Sequence, residues 1–366
     1  MQAPTVECPA MRFRFLAAIL ILLIAAYGWY WHQAASRFEA KIGQWSANLP
    51  PGLGLDYRAV DVGGFPFRLA ARLDDAVLSG QAPADDGAAA HDWRLSAAEA
   101  HLTTLMWKTD HWVMSAPAAR LEGHVDWPAG ASAERHRLEA EAQTLRASLR
   151  LRPDGAIARL SVDLLKVAGQ APSLLGGGFA ADDLQFHLRQ PPPPAMAAYT
   201  EALLLPEQLE AVLKGRALTL QDLAPRRLGR DIAKFTLVAA VDAQSLPRHD
   251  AAALARWRDQ GGTLAIKLAA IDWGPLSVEG EGDLALDDRF QPIGAMSLRG
   301  QGFAAALSDL AAAGAVAPET AEIAGLALAA LAKEGKNRQE IPLSAQDGHL
   351  YLGPVPLLPV APMIAP

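Results

Sequence analysis

Cysteine is nearly missing from this chain: Cys8 is the only one in 366 residues. No intrachain disulfide can form, and multi-cysteine metal sites and dithiol redox pairs are excluded with it. A body without cysteine suits an oxidising compartment. A surplus of positive charge is missing too. Lys and Arg total 33 against 40 Asp and Glu, a net charge of −7, with the two signs interspersed. Without a basic stripe to replace phosphate counterions, nucleic acid is not expected as a partner. The usual signatures of catalysis are also absent. There is no His-Glu-x-x-His and no Gly-x-Ser-x-Gly elbow, and the glycine-rich "LLGGGFA" at 174–180 lacks the Lys-Ser/Thr of a phosphate loop. His111 and His124, the latter near Asp126, have no helical ligand spacing, so surface or loop roles are expected for them. The paired acids Asp74-Asp75, Asp85-Asp86, Asp182-Asp183 and Asp287-Asp288 sit at turn-like strand ends, where carboxylates are normally solvated. A glycosidase pair would need a defined separation in space. The chain is therefore expected to be no enzyme and to carry no cofactor and no metal.

Long apolar runs are also scarce, with one exception. "FLAAILILLIAAYGWYW" runs uncharged from Phe15 to Trp31. At a helical rise it spans roughly 25 Å, close to a bilayer's hydrocarbon core. Arg12 and Arg14 precede it, and Trp29, Tyr30 and Trp31 form an interfacial aromatic cluster after it. Positive charge ahead of the span predicts a cytoplasmic N-terminus over residues 1–14, a single transmembrane anchor over 15–31, and the rest of the chain outside. The competing reading is a cleaved signal peptide cut at Ala34-Ala35-Ser36, but three bulky aromatics just before that site make cleavage awkward. Met11 can serve as the start, since residues 1–10 add nothing the anchor needs.

Beyond the anchor, a helical stem is expected over 32–52, with Phe38, Ile42 and Trp45 on one side and Pro50-Pro51-Gly52 as the stop. From there the dominant period is two. In "FPFRLAARLDD" the residues Phe65, Phe67, Leu69, Ala71 and Leu73 share one face; in "LSVEGEGDLALDD" Leu276, Val278, Leu284 and Leu286 alternate with acids. "RPDG" at 152–155 reads as a turn. In "RLEAEAQTLRASLRLR" the apolar parity changes around Thr144-Leu145, which predicts a bulge or bend. Helical patterns are few: 191–215, and segments near 250–260 and 304–334. The fold expected is mainly β with some α, an N-terminal transmembrane helix followed by curved antiparallel sheet with a few covering helices. Two β-rich halves, 53–190 and 216–353, would flank a helical connector at 191–215, and a proline-rich tail would occupy 354–366.

Two sets of aromatics raise the question of a contact surface. Gly63 and Gly64 permit a positive-φ turn before Phe65-Pro66-Phe67, which would plug the anchor end of the apolar layer as the start of a core strand or as a lipid or partner contact. Trp107, Trp112 and Trp273 can fill the sheet core or line an apolar groove. With about a dozen one-sided strands and only a few helices to cover them, either two sheets pack face to face or apolar surface stays open.

Four phrases, in this order, carry a resemblance: "GFPFRL" (64–69), "WKTDHWVM" (107–114), "DWGPLSVEGEGDLALDDRFQPIGAMSLRG" (272–300) and "IPLSAQDGHLYLGPVPLLPVAP" (341–362). Together with the short anchor they resemble the bacterial family called domain of unknown function 2125 (DUF2125). The resemblance brings no activity and no catalytic residues with it. The layout is more loosely similar to AsmA-like envelope proteins, which pair an inner-membrane anchor with β-rich periplasmic modules. It implies a single-pass bacterial inner-membrane protein with its bulk in the periplasm. Its partners would be the inner membrane, phospholipid or envelope proteins. A lipid-handling role is the first expectation and a ligand-free scaffold, docking through the proline-rich tail, the second; an envelope hydrolase is a distant third.

Overall fold

Nearly every strand of this protein pairs with the strand before it in the chain. The computed structural model describes residues 9–49, 51–81, 92–127, 134–172, 176–191, 207–221, 227–243, 251–331 and 338–363. Helix α1 (Pro9–Ala47) leads into β1 (Leu53–Asp56), β2 (Ala59–Gly63), β3 (Arg68–Gln81), β4 (Asp92–Leu105), β5 (Lys108–Trp127), β6 (Glu134–Leu151), β7 (Ile157–Ala171) and β8 (Gly177–Arg189). Then come β9 (Glu207–Leu220), β10 (Asp231–Asp242), helix α2 (Ala251–Asp259), β11 (Thr263–Trp273), β12 (Leu276–Leu286) and β13 (Pro292–Gln301). Helices α3 (Phe303–Ala312) and α4 (Pro318–Leu331) precede β14 (Gln339–Gln346), β15 (His349–Leu352) and β16 (Val355–Pro359). All the strands form one antiparallel, unclosed sheet in chain order, with β1 and β2 sharing one edge of β3. Short turns close several of these pairs. Asp347 and Gly348, both at positive φ, close the β14–β15 hairpin, the geometry that suits the twist of two antiparallel strands.

Three sequence expectations are corrected here. The helical connector at 191–215 fails over 207–215, which lie in β9; residues 192–206 fall outside the described ones. "EQLEAVLKG" fits both periods, because Leu209, Ala211, Leu213 and Gly215 also alternate, and the exposed ladder of β8 selects the strand. The sheet therefore runs unbroken from one expected half into the other. Phe65 and Phe67 are not the first inward residues of a core strand: they form a turn before β3, with Gly64 at φ +101 and the Arg68 N–H donating to the Gly64 carbonyl. Pro66, having no N–H, cannot extend the β3 ladder. The tail is no free segment either, since Val355–Pro359 pairs with β15 as the last strand, an edge where proline is tolerated.

A crease crosses eight of the strands. Asp75 on β3, Ala118 on β5, Lys166 on β7 and Ala217 on β9 all have φ of 49–51°, and the pairs on either side of them keep the register intact. Ala98, Gln143, Asp182 and Ala233 complete the same row on the intervening strands, and all eight residues are exposed. Alternation is reset at this row. Ala116 and Ala119 on β5 are both buried although three apart, as are Ala142 and Ala147 on β6 although five apart. The parity change near Thr144 is thus one point of a line, made on β3, β5, β7 and β9 by left-handed residues; at its end, Ala233 on β10 is an extra residue opposite β11. An L-residue in that conformation costs roughly 1–2 kcal/mol. Ala118→Gly is therefore expected to stabilise the protein by about 0.5 kcal/mol or more, the opposite of glycine's usual effect in a strand; a higher urea midpoint of the full chain in detergent checks it.

Covering elements protect the two ends of the sheet. Ala35, Phe38 and Ile42 of α1 bury Leu69, Ala71 and Leu73 of β3, and Phe38 stacks on Trp112 at 5.6 Å between centroids. At the other end α3 and α4 pack Leu307, Ala324 and Leu328 against Ile341, Leu352 and Val355. The Asp309 carboxylate accepts the Arg227 and Leu228 N–H groups, tying α3 to the turn before β10. Between these ends, on the far side of the crease from α1's aromatics, Ala142, Val167, Phe179, Leu220 and Ile232 form a third core. The accessible surface totals 22883 Å², where a compact chain of this mass would expose roughly 14,000 Å².

Candidate functional site: an aromatic mouth and an open apolar floor

The turn before β3 and the β4–β5 turn meet α1 at the end of its apolar run. Tyr27 donates its hydroxyl proton to the Pro66 carbonyl at 2.5 Å, and Trp31 Nε1 donates to the Arg68 carbonyl at 3.2 Å. Phe65 lies 6.1 Å from Tyr27 and 5.5 Å, edge-on, from Trp31; Phe67 meets Trp107 at 6.3 Å. These contacts fix the rings without burying them: Phe65 is 54%, Phe67 63% and Trp107 67% exposed. Arg68 and Lys108 stand directly behind them in sequence. The result is a cluster of aromatics and cations at one end of the strands, level with residues 27–31 of the helix.

The sequence thus named three residues that the fold brings together, Phe65, Phe67 and Trp107, and two that it does not. Trp112 lies under Phe38 in the stem core, and Trp273 is half-buried in the central core, donating Nε1 to the Gly229 carbonyl at 3.0 Å. Among the interfacial residues, Arg14, Trp29 and Tyr30 are exposed, whereas Trp31 turns toward Phe65; the Arg12 side chain falls outside the described residues. The helix segment Arg14–Ala47 is long and apolar enough to cross a membrane.

From this mouth an apolar floor extends over the sheet between the crease and the strand ends. Successive cross-strand partners give three parallel apolar rows: Leu164, Leu184, Gly215, Phe235 and Ile271; Val162, Phe186, Leu213, Leu237 and Ala269; and Leu160, Leu188, Ala211, Ala239 and Ile266. In the middle row Phe186, Leu213 and Leu237 are neighbours on β8, β9 and β10, and each is 37–41% exposed. Glycine brings the strands close here: the Phe235 ring lies over its partner Gly215, where a Cβ would stand 2.3 Å from it. Sequence reasoning missed these three residues. Their alternation was visible in "DDLQFHLRQ", but only register could show that they adjoin and that no described element covers them.

On the opposite face the chemistry is ionic. Lys267 reaches Glu207 at 2.6 Å and Glu210 at 2.9 Å, while Arg189 contacts both acids at 3.1 and 3.2 Å. The hydrogen bonds from Lys267 and Arg189 hold the Glu210 carboxyl below its ordinary range, and those from Glu207 and Glu210 raise Lys267. Asp242, nearby, is pushed up by burial and by Glu207. Among the described residues, no three His, Cys, Asp or Glu side chains are grouped so as to hold a metal.

A long apolar helix, an unclosed antiparallel meander and an apolar face that no described element covers define a class of single-sheet proteins attached to a helical tether. The chain belongs to the family described as "Uncharacterized protein conserved in bacteria (DUF2125)", which matches residues 31–361. No curated protein and no solved structure matches the chain. The likeness to AsmA-like envelope proteins accordingly rests on layout alone.

Proposed function

We propose that this is a non-enzymatic, membrane-anchored protein whose open sheet face takes up the acyl chains of phospholipid, with α1 holding it in a bacterial inner membrane and the sheet on the periplasmic side. The observation that carries this reading is the row Phe186–Leu213–Leu237, each residue 37–41% exposed and covered by no described element, on a continuous apolar floor. An exposed apolar surface in contact with water is costly at about 25 cal/mol per Å², and an acyl chain removes that cost without asking for specific polar partners. The floor opens toward the strand ends where Phe65, Phe67 and Trp107 stand beside Tyr27 and Trp31, an arrangement of rings and cations that suits a bilayer interface. A role in envelope maintenance follows from a lipid carried there. The scaffold alternative has less to rest on, since Val355–Pro359 of the proline-rich segment pair with β15 as β16.

The test is photocrosslinking of the full chain in nanodiscs doped with a phospholipid that carries a diazirine in its acyl chain. Adducts are expected on peptides of β8, β9 and β10 as well as on α1. Leu213→Asp should remove the strand adducts while those on α1 persist. Labelling confined to α1 in the unmodified chain would sink the acyl-chain reading and leave only an anchor.

A further inference from the structure

We infer a phosphate-binding site on the polar face of the sheet, centred on Arg159 and flanked by Arg150 and Arg189. The three arginines are direct cross-strand partners on β6, β7 and β8: Arg150 faces Arg159 and Arg159 faces Arg189. His111 on β5 continues the same row opposite Arg150. Like charges placed directly opposite one another in a sheet repel, so such a ladder is destabilising unless anions neutralise it. Protein carboxylates do so for the outer two only. Arg150 has Asp110 at 3.4 Å, and Arg189 has Glu207 and Glu210. The two acids are themselves shared with Lys267, so that quartet is neutral overall. The Arg159 side chain is exposed and has no ion-pair or hydrogen-bond partner among the described residues.

The surroundings of Arg159 suit an oxyanion. A hollow of about 270 Å³ is lined by Arg159, Ser161, His187, Arg189, Glu210 and Val212. Ser161 faces His187 across the β7–β8 pair, two residues along from the Arg159–Arg189 pair and on the same face. A guanidinium with free N–H groups, a hydroxyl and an imidazole can together meet the oxygens of a phosphate monoanion or diester. One uncompensated positive charge matches one negative charge; Glu210, held ionised by Lys267 and Arg189, disfavours a dianion. The site faces away from the apolar floor, so it stands or falls separately from the acyl-chain reading. The phosphate can come from a lipid headgroup or from a free phosphate, and the two sources are separated by experiment.

The full chain in dodecyl maltoside would be titrated with inorganic phosphate and, in parallel, with diheptanoyl phosphatidylglycerol, following the thermal midpoint. A saturable rise is expected, weakening as salt is raised. Response to both ligands means that free phosphate suffices; response to the lipid alone assigns the site to a headgroup. Arg159→Ser should reduce the affinity at least about tenfold, as expected for loss of a charge-assisted contact. Its midpoint without ligand should equal or exceed that of the unmodified chain, because the repulsion is relieved. Arg94→Ser, at an exposed arginine elsewhere on the sheet, should leave the response unchanged. No saturable response to either ligand, or a response that Arg159→Ser retains, would overturn the site.

Discussion

Gly169→Val is expected to cost the protein about 3 kcal/mol or more, enough to disrupt the β6–β7 pairing in the folded chain. A Cβ at Gly169 would stand 2.1 Å from the Glu139 carbonyl oxygen, 2.8 Å from the Phe179 ring and 2.9 Å from the Ala140 Cα. Two of these neighbours are backbone and cannot rotate away. The third is the ring of the residue directly opposite, which fills the space that a side chain on Gly169 would need. Phe179 is itself buried in the central core, so moving it opens a cavity among Ala142, Val167 and Leu220. Gly63→Ala is the matched control: its Cβ would meet nothing within 4 Å, and its midpoint should stay within about 0.5 kcal/mol of the parent. Urea unfolding of the full chain in detergent, followed by tryptophan fluorescence, measures both; equal midpoints for the two variants would show that the glycine–aromatic pairing carries no such constraint.

Ile341→Ala should be nearly as damaging, at about 3 kcal/mol. Ile341 is 1% exposed and sits where β14 meets α3 and α4, among Leu307, Leu328 and Leu352. Removing its outer carbons leaves a cavity that these elements cannot all collapse to fill, since Asp309 pins α3 at the turn before β10. The loss should be local to the last strands and their helices. Hydrogen exchange of the variant is therefore expected to speed up over β14–β16, α3 and α4 while β5–β8 keep their protection. Uniform loss of protection would mean that the C-terminal cap and the central strands unfold as one unit.

The alternation of single strands was plain in the sequence, and their mutual placement was not. "LSVEGEGDLALDD" becomes β12, with Glu279 and Glu281 exposed about a buried Gly280, because a period of two has only one sheet-compatible reading there. "EQLEAVLKG" misleads because it satisfies two periods, and the choice is made by β8, a neighbour outside the window. Phe65 and Phe67 keep the right parity for β3 but lie ahead of it, since Pro66 and the positive φ of Gly64 turn the chain first. Thr144 gave away one point of the crease; that Asp75, Ala118, Lys166 and Ala217 lie on the same line depends on eight strands being in register. The same holds for Arg150, Arg159 and Arg189. Composition says that positive charge is dispersed along the chain, and it is; hairpins of matching length gather three of those charges side by side.

The order of the strands has a consequence for how damage spreads. From β3 onward each described strand pairs with its neighbours in the chain, while the capping helices and a few ion pairs, such as Lys267 on β11 with Glu207 and Glu210 on β9, reach further. Cooperativity in such an arrangement is passed hand to hand, as in repeat proteins, so the stability of one stretch is set by the pairings next to it. It also means that from β3 onward a growing chain finds each strand's partner already present, so that pairs joined by short turns, such as β6–β7, β11–β12 and β14–β15, can form with little loop closure.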